Sequence, residues 1–288
     1  MTLDTTALER RPLGLLVWVQ AGLVAALLVA VYHRTAATLW MTWTTNDNYS
    51  HGPLVPLVSA WLAWMDRERL RRLPVAADNR GLVLVALACG LQVFGMRGDV
   101  FALEGYSWLA MAYGLSWAFL GAAWTRALAF PIGFMAFMLT FPPFVMNQLS
   151  FALKEITVRI SAWLAEGLGV TLQRSGMIIY LLTGELRIEN PCSGLRSLLT
   201  LLATGAVFAY LQPGGVVPRV ALLLGAVPVA MIANALRIAG LMVVGHFHSV
   251  EKATRFHDLS GYAVYAIALC GLFGLRAVLL PRAREPQS

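Results

Sequence analysis

Over 288 residues, 58% hydrophobic side chains against 13% charged ones exclude an ordinary soluble domain, in which roughly 25% of residues are charged. The mean hydropathy of +0.67 points to an all-α polytopic membrane protein. A net charge of +7 could suit a nucleic-acid binder, but the basic residues flank apolar runs and form no patch interleaved with aromatics, so no nucleic-acid partner is expected.

Arg10 and Arg11 precede about 20 apolar residues. That run is long for a signal-peptide core and ends in no small-x-small cleavage site, so 13–32 reads as a retained first span. Further apolar runs follow at 52–65, 81–96, 107–124, 127–146, 193–211, 220–245 and 259–280, giving eight spans in one domain covering 1–288. The segment 147–192 breaks the pattern. Leu149, Leu153, Ile156, Ile160 and Trp163 form an apolar stripe that Lys154, Glu155, Arg159 and Glu166 avoid, which predicts an amphipathic helix on the membrane surface. Two extended runs around Thr183-Gly184 then predict a small β-hairpin leading to Asn190-Pro191-Cys192.

With eight alternating spans, Arg10, Arg11, Arg67, Arg69, Arg71, Arg72, Arg80, Arg126, Arg219, Arg276, Arg282 and Arg284 share one side. The other side has only Arg34, Arg97, Lys252 and Arg255 in its short loops. The excess puts both termini in the cytoplasm. The outward segments are then 33–51, 97–106, 147–192 and 246–258.

Three cysteines without CxxC spacing give neither a disulfide framework nor a zinc site. Cys89 and Cys270 lie in apolar runs and read as small buried hydrophobes. Cys192 has polar neighbours. Ser193 or Asn190 could cap the helix that follows, and a thiol at a helix N-terminus is favoured as thiolate. Arg196, at i+4, would share its face. Arg237 falls in the outer half of the seventh span, with Asn234 at i−3; a guanidinium there faces a partner or cavity, or snorkels to the interface. His257 and Asp258 stand where the eighth span is expected to begin. His246 and His248 are rival bases, and two histidines without a third ligand are a weak metal signal. Thiol, guanidinium and imidazole at the outer ends of consecutive helices have the parts for acyl transfer.

The stretches "NPCSGLRSL", "NALRI" and "FHDLSGY", with "YSHGPLVP" near the start, resemble the exosortase/archaeosortase family of integral-membrane transpeptidases. The resemblance implies a bacterial cytoplasmic-membrane enzyme, with Cys192 as nucleophile and Arg237 and His257 as its catalytic partners. Ser193, Arg196, Asn234, Asp258 and His51 are supporting candidates, the last in a "YSHG" stretch without an assigned chemical role. The implied substrates are secreted proteins ending in a Pro-Glu-Pro motif, an apolar helix and a basic tail. The acceptor nucleophile is unspecified, membrane lipid surrounds the chain, and neither cofactor nor metal is called for. Two other readings compete: a transporter or lipid-handling bundle using the same polar groups as a solute site, and an intramembrane serine protease using Ser193. The first would need polar residues continuing across the membrane. The second lacks a G-x-S-G motif.

Overall fold

In the computed structural model, residues 15–188, 194–212 and 215–279 are described, with 15–17, 257–259 and 262 described by backbone alone. The helices are Leu15–Thr45 (α1), Leu54–Met65 (α2), Arg67–Arg71 (α3), Arg80–Arg97 (α4), Phe101–Leu120 (α5), Ala122–Ala127 (α6), Ala129–Phe134 (α7), Pro143–Gly167 (α8), Leu195–Leu211 (α9), Val216–Phe247 (α10) and Val250–Leu279 (α11). The strands are Leu172–Ser175 (β1), Ile178–Leu181 (β2) and Gly184–Arg187 (β3), and short 3-10 turns cover Asp47–Tyr49 and Met135–Met138.

By length and composition, α1, α4 and α10 can each cross a membrane, and α7 with its 3-10 extension and α8 make a fourth candidate bent by 78°. Shorter helices run alongside them. At one end of the bundle Arg196 of α9 pairs with Asp47, at 3.7 Å. At the other, the Tyr210 hydroxyl donates to Asp66, just past α2. So α2 and α9 run between the same two ends. The 17 residues of α9 span about 26 Å, close to the roughly 30 Å of a hydrocarbon core. The linker into α4 is tied to the end of α5 by Ala76 N–H to Leu120 O and Asp78 N–H to Ala118 O. Arg67, Arg69, Arg71, Arg80, Arg126, Arg219 and Arg276 therefore gather at the Asp66 end.

Several boundaries differ from the sequence reading. The first helix continues to Thr45, so most of 33–51 is helical. The expected span 127–146 is broken, because Pro142 is extended between the 3-10 turn and α8. The expected loop 246–258 is helix apart from His248 and Ser249. The expected hairpin is β2–β3, and β1 adds a third antiparallel strand in the order β1-β2-β3. Cys89 and Cys270 are exposed rather than buried. Around a membrane bundle the outer surface is itself apolar, so a thiol fits there as well as in the core.

The amphipathic helix forms as α8, but the larger part of its apolar stripe faces outward: Ile156 and Trp163 are exposed and only Leu153 is buried. The helix instead packs by its small residues Ser150, Thr157, Ser161 and Ala165. Such residues let backbones approach closely. Ser161 Oγ reaches the Ala235 carbonyl of α10 at 3.0 Å and Thr157 O at 2.7 Å. Under the sheet, Val158, Ile179, Leu186, Ile188, Ile238 and Met242 share one core. This cap of α8 and sheet therefore fixes the neighbouring end of α10.

A polar network inside the bundle was not read from sequence. Gln92 Nε2 donates to Thr35 Oγ1 (2.9 Å), Thr35 Oγ1 to Glu104 Oε2 (2.8 Å), and Ser107 Oγ to Gln92 Oε1 (2.7 Å). Thr35, Gln92 and Ser107 are buried, so the network pins α1, α4 and α5 together. Removing one member strands the others without water, at about 1–3 kcal/mol. Gln92→Ala should lower the thermal midpoint in mild detergent. A midpoint equal to wild type would show that the network contributes no net stability.

Candidate functional site

Two buried anchors flank the segment that contains Cys192 in the chain. Before it, Ile188 donates its N–H to Met177 O (3.0 Å) and is sealed under the sheet. After it comes Leu195, 1% exposed, in the core shared by α9, α10 and α11. Residues 189–193, which include Asn190, Cys192 and Ser193, lie outside the described residues.

Gly194 is the N-cap of α9, with φ +73° and no side-chain cap bond. The helix therefore begins at Leu195 and not at 193, while the expected capping by Ser193 or Asn190 and the face shared by Cys192 and Arg196 fall on residues outside the described ones. Arg196 turns to Asp47 as an exposed pair, a class of contact worth little.

What Gly194 touches defines the site. A Cβ at this position would lie 2.7 Å from Asn234 Nδ2 and 2.9 Å from its Cγ. Asn234 is buried in α10 at 1% exposure. One turn on, Arg237 is half-buried, and its Nε donates to Ser260 Oγ of α11 at 3.0 Å. Ser260 is itself buried. The guanidinium is thus held between two helices and does not reach away along the helix to an interface. Ser260 follows His257 by three residues, so the backbone of "FHDLSGY" runs past Arg237. The side chains of His257 and Asp258 lie outside the described residues. The structure joins the start of α9 to Asn234, and Arg237 to α11. Ser260 was missed in the sequence, where a serine in an apolar helix gave no signal of its own.

His246 sets its ring edge-on to Phe247, with centroids 4.9 Å apart. Among the described residues, no three His, Cys, Asp or Glu side chains cluster as a metal site requires.

The "YSHG" stretch has a structural role. The break after Met138 frees backbone groups that must be satisfied inside an apolar bundle. His51 Nε2 donates to Phe137 O (3.1 Å), Trp43 Nε1 donates to Met138 O (2.9 Å), and Tyr49 Oη accepts from Phe141 N–H (3.1 Å). Gly52 leaves the room that the Trp43 indole fills. Burial pushes the His51 imidazole below the usual histidine range, the Phe137 carbonyl opposes that, and nearby Arg196 adds to it.

Two clefts border the site. One, of about 970 Å³, is lined by Asp47, Tyr49, Asp99, Phe141, Asn147 and Leu195. The other, of about 930 Å³, is apolar and lies between α8, α10 and α11, with Trp163, Leu236, Gly240 and Phe256 on its walls.

Gly194 supports a direct test. Gly176 also has positive φ (+61°), but a Cβ there meets nothing. Gly176→Ala should cost only the left-handed backbone penalty, about 1–2 kcal/mol. Gly194→Ala should cost visibly more in thermal or denaturant unfolding, because the Asn234 contact adds to that penalty. Equal costs would remove the close seating of Gly194 on Asn234.

A family model described as transmembrane exosortase matches residues 43–274. No curated protein and no solved structure matches the chain.

Proposed function

The chain belongs to the transmembrane exosortase family, and on that premise we propose that it is a cysteine transpeptidase or protease embedded in the bacterial cytoplasmic membrane. Eight crossings place both termini in the cytoplasm and the Gly194 end outside. The substrates are secreted proteins with a C-terminal Pro-Glu-Pro motif, an apolar helix and a basic tail. The observation that carries this reading is the convergence at Asn234 and Arg237: the residue two past Cys192 rests on α10, and the α10 guanidinium is bonded to α11. Two residues of chain reach at most about 7 Å, so a nucleophile at position 192 works within that distance of Gly194.

The chemistry follows from the residue types. The Cys192 thiolate attacks the scissile carbonyl, and the electron pair moves to the carbonyl oxygen. Arg237, with its plane fixed by Ser260, stabilises that oxyanion. As the tetrahedral species collapses, the C–N bond breaks and His257 gives its proton to the departing amine, leaving a Cys192 thioester. An acceptor amine or water then attacks the thioester and returns its proton to His257. The sulfur leaves as thiolate. The apolar cleft beside Leu236 and Phe256 suits the substrate's apolar segment. The polar cleft at Leu195 gives the acceptor or water a route in. The solute-site alternative has no comparable support, since the family match points to transpeptidation.

Conversion of a tagged substrate, read as precursor against product at matched enzyme abundance, tests the scheme. Cys192→Ala should abolish product, and Cys192→Ser should be nearly inactive because a hydroxyl is the weaker nucleophile near neutral pH. Cys89→Ala and Cys270→Ala should process normally. Full activity in Cys192→Ala would end the thiol mechanism.

The role of Arg237 is tested by Arg237→Lys, which keeps the charge but loses the planar fork. Product formation should fall by roughly 10²-fold or more, while Arg196→Lys, which disturbs only a surface pair, stays milder. Near-normal Arg237→Lys activity would take Arg237 out of the site and promote Arg196.

A further inference from the structure

At the Asp66 end of the bundle, two guanidinium groups converge on one glutamine. Arg219 Nη2 donates to the Gln212 carbonyl at 2.9 Å, and Arg276 Nε donates to Gln212 Oε1 at 2.7 Å. Arg276 also lies over the Phe208 ring, 5.7 Å from its centroid. Both side chains are partly buried. Among the described residues no carboxylate oxygen lies within 4.0 Å of either. Asp66, which shares this end of the bundle, instead accepts from the Tyr210 hydroxyl.

This arrangement runs against ordinary electrostatics. Two like charges tied to one residue repel. Arg219 also stands in the first turn of α10, where the helix dipole is already positive and no acidic residue offsets it. Topology control alone needs only solvated basic side chains at a helix end. Here both are fixed in place, and among the described residues neither has a carboxylate within ion-pair distance, the nearby Asp66 being taken up by Tyr210.

We propose that Arg219 and Arg276 bind the phosphate of an anionic phospholipid. Each guanidinium keeps N–H donors beyond the one spent on Gln212, and planar guanidinium is suited to phosphate. The neighbouring surface suits acyl chains. Val216, Val220 and Leu224 recur at i, i+4 and i+8 on α10, and Phe273 lies one turn before Arg276; all four are exposed. A phosphate on the arginines thus brings its acyl chains onto apolar side chains already facing outward. The inference rests on membrane embedding and not on the chemistry at Cys192. With the termini in the cytoplasm, the lipid belongs to the inner leaflet.

The test uses the full chain in a neutral detergent, with bound lipid counted by native mass spectrometry. Phosphatidylglycerol, phosphatidylcholine and inorganic phosphate are titrated separately. Phosphatidylglycerol should bind in preference to phosphatidylcholine. Arg219→Gln and Arg276→Gln should each weaken it by about fivefold, and together by on the order of 25-fold. Arg72→Gln, which removes an exposed charge near the same end, should leave it unchanged. Gln212→Ala keeps both charges but releases them, and should also weaken binding, which covers the case in which the double variant does not fold. Inorganic phosphate displacing the lipid at equal concentration would reassign the site to a free anion. Equal binding of the two lipids, or an equal loss in Arg72→Gln, would overturn the proposal.

Discussion

The bond between Arg237 and Ser260 is the constraint around which the site is organised. A guanidinium within an apolar helix costs about 2.5–3.5 kcal/mol on insertion scales, so α10 carries Arg237 only where something offsets that cost. The buried Ser260 hydroxyl supplies part of the offset from α11. Because α10 is also clamped from the other side by α8 through Ser161 and the core beneath the sheet, the guanidinium has a fixed position. Gly194 then seats the start of α9 one turn away on Asn234. Three helices and the cap thus share one polar locus in an otherwise apolar bundle.

The same economy of polar groups explains the rest of that end. The broken span after Met138 leaves carbonyls and an amide that lipid cannot satisfy. Trp43, Tyr49 and His51 satisfy them. Trp43 lies at the end of α1, and Tyr49 and His51 come from the turn that also supplies Asp47 to Arg196. The sequence conceals this link, since 43–52 and 137–141 are separated by the six helices α2 to α7. The "YSHG" stretch is therefore tied to what it holds in place.

The positions of most helices were legible because apolar run length is a strong signal and the arginines mark helix ends. The third strand was not, because "LQRS" has no hydrophobic alternation. The face by which α8 packs on α10 was not legible beside its apolar stripe: in a membrane the large side chains of Ile156 and Trp163 can face outward, and small Ser and Ala make the contact. At the site, the three motifs could be picked out by residue type, and among the described residues the start of α9 meets Asn234 and Arg237 meets α11. Gly194 as the cap, the turn of Arg196 to Asp47, and Ser260 as the partner of Arg237 were not. Each depends on backbone conformation or on distance between helices, which residue type does not encode.

The central claim is that the segment before α9 works beside the start of α11. Crosslinking tests it most directly. With Cys89 and Cys270 replaced by Ala, the native Cys192 is paired with a cysteine at position 257 and treated with a short bis-maleimide in intact membranes. The account predicts efficient crosslinking between 192 and 257 and none between 192 and a cysteine at Arg69, at the opposite end. Failure at 257 with both thiols reactive, or equal crosslinking to 69, would contradict it.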